Sequence, residues 1–72
     1  MIAVLVQVES SVEDIESMRD LLVEMEGATR AEAGCHDYVF CQEISDPTRM
    51  RVVELWESMD ALALHFATPH MA

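Results

Sequence analysis

The segment Met1-Ile-Ala-Val-Leu-Val-Gln-Val8 constrains this chain most. It is β-branched and apolar, a composition that favours a strand. Its apolar residues fall on both parities, with Val4, Val6 and Val8 on one side and Ala3 and Leu5 on the other. Such a strand is buried on both faces, so each side of its sheet needs a cover. A chain of 72 residues builds one small core, and residues 1–72 are read as a single domain.

The elements that follow are short. Ser10 with Glu13 fits a helix capping box, and Ser11 with Asp14 is the alternative frame. Ile15, Met18, Leu22 and Met25 then recur at three- and four-residue spacing, the stripe of an amphipathic helix. Glu13, Glu16, Asp20 and Glu24 lie opposite, as a solvated face. Gly27 weakens this helix from within and Gly34 marks its end. Cys35 to Ile44 reads as a strand around Tyr38, Val39 and Phe40. Ser45-Asp46-Pro47-Thr48 is a turn, and Arg49 to Glu57 is a third strand. Ser58 caps a short helix with Ala61, Leu62, His65 and Phe66 on one face, closed by Pro69.

The order β-α-β-β-α is an α+β, ferredoxin-like sandwich whose last strand is absent from this chain. In that topology the first strand lies beside the third and leaves an apolar edge, which proteins avoid exposing. The third strand is also two-faced, with Met50, Val52 and Trp56 on one side and Val53 and Leu55 on the other. Two helices cover one face. A second copy of the chain is the simplest cover for the other, so a homodimer with sheets face to face is expected.

Charge narrows the function classes. Fourteen acids stand against four arginines and no lysine, a net charge of −10. A surface this acidic repels phosphate backbones and anionic membranes, which sets aside nucleic-acid and membrane partners. The N-terminal apolar run lacks a basic flank and a small-residue cleavage site, so a cytoplasmic protein is expected. Cys35 and Cys41 share an extended segment, which places their Cα atoms roughly 20 Å apart. A disulfide needs about 4.4–6.8 Å, so no bridge forms within the chain.

Few side chains could carry chemistry. Glu54 and Trp56 are two apart on a strand and share a face. Glu54 either pairs with Arg49 or Arg51 or faces a ligand, where a desolvated carboxylate could act as a base. His65 lies on the apolar stripe of the second helix, as a core histidine bonded to Glu54 or a carbonyl, or as a general base. His70 follows five residues on, out of the spacing that stacks two ligands on one helical face. No metal site is therefore expected. Trp56 and Tyr38 either pack the core or line a pocket for a planar ligand.

Four runs in order carry a family resemblance: Glu32-Ala-Gly-Cys-His-Asp-Tyr38, Asp46-Pro47, Glu54-Leu-Trp-Glu-Ser58 and His65-Phe-Ala-Thr-Pro-His70. Together they resemble the antibiotic-biosynthesis monooxygenase domain family, over residues 2–72. The resemblance implies a dimeric α+β barrel with a pocket between sheet and helices. It also implies oxidation of a small quinol or phenolic, polyketide-type aromatic by O2, with no cofactor. Such a substrate supplies its own electrons once deprotonated, and the protein supplies a dry cavity, orientation and a base. On that pattern His65 is the base, Glu54 orients it, and Trp56, Tyr38, Phe66 and His70 bind the substrate.

Departures from the pattern limit what transfers. Relatives continue further, with more helix and a final strand. The polyketide-oxidising branch carries Asn and Tyr where this chain has Val52 and Leu62, and the haem-degrading branch carries Trp where it has His65. Two other functions stay open: a non-catalytic small-molecule-binding or dimerisation module, and an isomerase or lyase acting on a small carbonyl metabolite through Glu54 and His65.

Overall fold

The computed structural model describes residues 1–71. The elements run β1 (Ile2–Glu9), α1 (Val12–Arg30), β2 (Cys35–Gln42), β3 (Arg49–Trp56), α2 (Met59–Phe66) and a 3-10 turn (Pro69–Met71). β3 is central, with β1 and β2 antiparallel on either side. This is the α+β ferredoxin-like arrangement expected from the order of elements, with β1 at an open edge.

Local chemistry sets the helix ends. The Ser11 hydroxyl accepts the Asp14 amide at 3.1 Å, so the second capping frame is the one used. Ser10 instead donates its amide to the Thr48 carbonyl at 2.9 Å, tying the end of β1 to the β2–β3 turn. α1 runs through Gly27 and stops at Arg30, earlier than Gly34 suggested, because the Glu32 amide turns back to the Thr29 carbonyl at 3.0 Å. The Ser58 hydroxyl caps α2 by accepting the Ala61 amide at 3.2 Å.

Both helices cover one face of the sheet. Strand register places Val52, Glu54 and Trp56 beside Tyr38 and Phe40 on β2 and beside Ile2 and Val4 on β1. Tyr38, Val52, Trp56 and Leu62 form the buried centre, with Met25, Cys35, Phe40 and Ala61 packed against it. A bulge between Cys35 and Asp37 shifts the β2 register, so Cys35 faces the same core as Tyr38. The opposite face carries Ala3, Leu5, Val39, Val53 and Leu55, and neither helix lies on it.

β1 therefore departs from the expectation of burial on both faces. Within one chain only Ile2 and Val4 are half-buried, while Leu5, Val6 and Val8 are exposed. The helices cover one end of one side, and among the described residues nothing covers the other. The two sheet edges also differ. On β2, the Phe40 amide donates to Glu26 Oε2 at 2.8 Å and the Tyr38 carbonyl accepts from Arg30 Nε at 2.8 Å. Side chains from α1 thus close the β2 edge, which blunts further strand pairing there. Among the described residues no helix is long and apolar enough to cross a membrane.

Gly34 joins the two layers. Its φ is +82°, its carbonyl accepts the Glu57 amide at 2.8 Å, and a Cβ there would sit 2.6 Å from Ala61 Cβ. Left-handed backbone and close approach both exclude a side chain. Gly34→Ala is expected to cost about 2–3 kcal/mol, lowering the melting temperature by roughly 10 °C or more in a domain this small. Thermal unfolding followed by circular dichroism checks this; an unchanged midpoint would contradict it.

Candidate functional site

The expected meeting of Glu54, Trp56 and His65 occurs. The Trp56 indole N–H donates to Glu54 Oε1 at 2.9 Å, and the Trp56 and His65 rings lie with centroids 4.7 Å apart. All three are buried, with Trp56 at 0% and His65 at 1% exposure. A sealed indole needs a partner for its N–H, and Glu54 is that partner. Among the described residues Glu54 pairs with neither arginine: Arg49 pairs with Glu9 and Asp46, and Arg51 stands at the other parity of β3.

His65 is held by a different carboxylate from the one expected. Its Nδ1 lies 2.7 Å from Glu32 Oε2, and His70 Nε2 lies 2.7 Å from the same oxygen. Glu32 sits in the turn between α1 and β2, 33 and 38 residues from its two partners. His70 reaches it because α2 ends at Phe66 and the 3-10 turn swings the chain back. The helical spacing that separated His65 from His70 in the sequence does not apply past that break. The cluster was not legible as a site, although Glu32 stands in the first of the recurring runs.

Hydrogen accounting assigns the imidazole tautomers. A carboxylate only accepts, so both ring nitrogens facing Glu32 carry hydrogen. Thr68 gives an independent check on His70. Its hydroxyl donates its one hydrogen to the His65 carbonyl at 2.7 Å, so it can only accept from His70 Nε2 at 3.2 Å. Neutral His70 then has Nε2–H and an acceptor lone pair on Nδ1. By the same logic the acceptor of His65 is Nε2.

A groove of about 380 Å³ opens between α1 and the sheet. Tyr38, His70, Phe40 and Val52 border it, along with the thioethers of Met18, Met25, Met50 and Met71. That volume falls in the range of small-molecule sites, and an apolar wall with a few polar groups is their usual lining. Methionine sulfur is polarizable and adapts to aromatic rings. Of the residues expected to bind substrate, Tyr38 and His70 border the groove. Trp56 is sealed in the packed layer beside it, and Phe66 is 63% exposed away from it. Phe66 misses because α2 is one short helix that buries only the line of Leu62 and His65. His65 touches the groove's lining rather than the groove, with its ring centroid 5.6 Å from Tyr38 and 5.9 Å from His70.

Neighbouring acids tune two groups. Burial pushes the Cys35 thiol up, and the Glu32, Asp37 and Glu54 carboxylates add to it, so it stays a thiol at neutral pH. Burial also pushes up the Tyr38 phenol, with Glu54 and Glu32 contributing next. Its hydroxyl donates to Met25 Sδ at 3.7 Å.

Comparison with known proteins places this geometry in a class. The sequence model of the antibiotic biosynthesis monooxygenase family matches residues 1–72. The chain belongs to that family. Among solved structures, a Deinococcus radiodurans protein of the antibiotic biosynthesis monooxygenase type is similar at 31% identity and a TM-score of 0.90, covering 99% of this chain and 70% of that one. A Mycobacterium tuberculosis protein is similar at 29% identity and a TM-score of 0.83, over 96% of this chain and 69% of that one. A conserved Methanosarcina mazei protein is similar at 25% identity and a TM-score of 0.90, over 96% and 68%. No functionally curated protein matches the chain.

Tyr38 gives the site a pH signature. Its folded pKa is raised above the usual 10.0, so the native state holds a proton that the unfolded state loses first. The contribution to stability is full below about pH 10 and is lost as pH rises through the folded pKa. Tyr38 is the chain's single tyrosine, so tyrosinate absorbance reports on it alone. In folded protein it is expected to ionise above the value measured in urea. Ionisation at or below that value would contradict the burial seen here.

Proposed function

We propose that the chain is a monooxygenase that oxidises an electron-rich phenol or quinol with O2, with His70 taking the substrate's phenolic proton. The observation that carries this reading is the placement of His70, which borders the apolar groove while its Nε2–H is held by Glu32. In the neutral ring that leaves Nδ1 as the acceptor, and in this reading it is the atom that meets the substrate. When it takes a proton, the Glu32 carboxylate stabilises the imidazolium, as a positioning residue. His65 anchors Glu32 from the sealed layer and keeps the carboxylate aimed at His70. The expected base therefore moves from His65 to His70, and the orienting carboxylate from Glu54 to Glu32.

The chemistry balances on the substrate's own electrons. A phenol with a C–H para to its hydroxyl, or a quinol with a ring C–H beside one, gives up four electrons as it becomes a quinone bearing one more oxygen. O2 accepts those four electrons; one oxygen atom bonds to that ring carbon and the other leaves as water with the two hydrogens. The protein binds and orients the ring, excludes water and removes the first proton. The groove wall suits a flat apolar ring, and the net charge of −10 disfavours polyanionic substrates.

A homodimer is part of the same reading. Ala3, Leu5, Val39, Val53 and Leu55 form an apolar sheet face that neither helix covers. Packing that face on a second copy would bury what one chain leaves exposed.

Oxygen consumption by chelator-treated protein, with quinone formed one to one, tests the proposal across a panel of naphthols, quinols and anthrones. His70→Gln and Glu32→Gln are each expected to lower kcat by about 100-fold or more. No uptake with any of these substrates, or full turnover by His70→Gln, would overturn it. Ligand-dependent stabilisation without turnover would identify a binding module instead.

A further inference from the structure

We propose that Glu32, His65 and His70 form a binding site for a divalent transition metal of the zinc type. Each of the three side chains offers one ligand atom, and those atoms lie within 4.8 Å of one another. Two imidazole nitrogens and one carboxylate oxygen are a donor set suited to Zn2+ and its neighbours, and not to Mg2+ or Ca2+. A tetrahedral zinc with ligand distances near 2.0–2.1 Å has ligand-to-ligand edges of about 3.3 Å. The two existing separations of 2.7 Å would widen slightly around an ion, and the two nitrogens would draw together. Glu32 and His70 retain some exposure, at 13% and 25%, and are the side chains that would adjust.

Charge gives a second, independent argument. Glu32 is largely buried, yet among the described residues no arginine pairs with it; the arginine ion pairs go to Glu9, Glu16, Glu26 and Asp46. The ion-pair partners of Glu32 are the two imidazoles, which are charged only when protonated. A dication held by the same three groups would bring a permanent positive charge to the carboxylate. The surrounding field of a chain with net charge −10 raises the local cation concentration.

Metal and proton relay exclude each other. Both use His65 Nδ1 and His70 Nε2. Binding an ion there moves each ring hydrogen to the other nitrogen, so His70 Nδ1 becomes a donor and can no longer accept a proton. Zinc would thus inhibit the reaction proposed above; that consequence rests on the proposed function, whereas the site itself does not.

Equilibrium dialysis of the intact chain against Zn2+ tests the site without reference to turnover. One saturable Zn2+ per chain is expected, with affinity lowered at least about 10-fold in Glu32→Gln and in His70→Gln, and unchanged in Glu13→Gln on the solvated face of α1. Circular dichroism of each variant establishes that it is folded. Co2+ loading is expected to give the visible absorption of a four-coordinate site in the parent chain and not in the two site variants. Absence of saturable binding, or equal binding by folded Glu32→Gln and His70→Gln, would overturn the proposal. Oxygen uptake by the chelator-treated protein is measured separately, so either idea can fail while the other stands.

Discussion

One oxygen atom, Glu32 Oε2, links three parts of the chain that are distant in sequence. It stands in the turn after α1 and binds an imidazole from the last turn of α2 and another from the segment beyond it. The bond to His65 fixes a fully buried ring against Trp56, and through Trp56 it meets the Glu54 carboxylate. The bond to His70 holds that residue at the border of the groove. Losing the carboxylate would leave a buried imidazole N–H unpaired, at a cost of about 1–3 kcal/mol. The placement of both imidazoles therefore depends on this single acceptor.

The sheet shows the same economy. α1 closes the β2 edge with Glu26 and Arg30, and the helices pack one face through Tyr38, Trp56 and Leu62. The β1 edge and the face bearing Leu5, Val53 and Leu55 receive no such cover. Among the described residues, α1 and α2 pack on one face of the three-stranded sheet. An uncovered apolar face of this kind is the surface on which the proposed homodimer rests.

What could be seen in the sequence was periodic or local. Alternation along β3 placed Glu54 and Trp56 on one face, and the stripe of α2 placed His65 in the core, because both depend on short-range geometry. The order of elements sufficed for the ferredoxin-like topology. Glu32 was not legible as a site because turns carry no periodicity and its partners lie far along the chain. His70 was discounted by a helical spacing rule that fails once α2 stops at Phe66. Phe66 was assigned to a buried face that a helix as short as α2 does not extend to. In each case the miss lies where a tertiary contact overrides the local pattern.

The shared acceptor can be observed directly through the nitrogen resonances of the imidazoles. Long-range 15N–1H correlation spectra of the chelator-treated protein distinguish the two neutral tautomers ring by ring. The expected result is hydrogen on Nδ1 of His65 and on Nε2 of His70, with both patterns lost in Glu32→Ala, which removes the acceptor. Hydrogen on His65 Nε2 or His70 Nδ1, or spectra indifferent to the Glu32 substitution, would contradict the arrangement on which the candidate site depends.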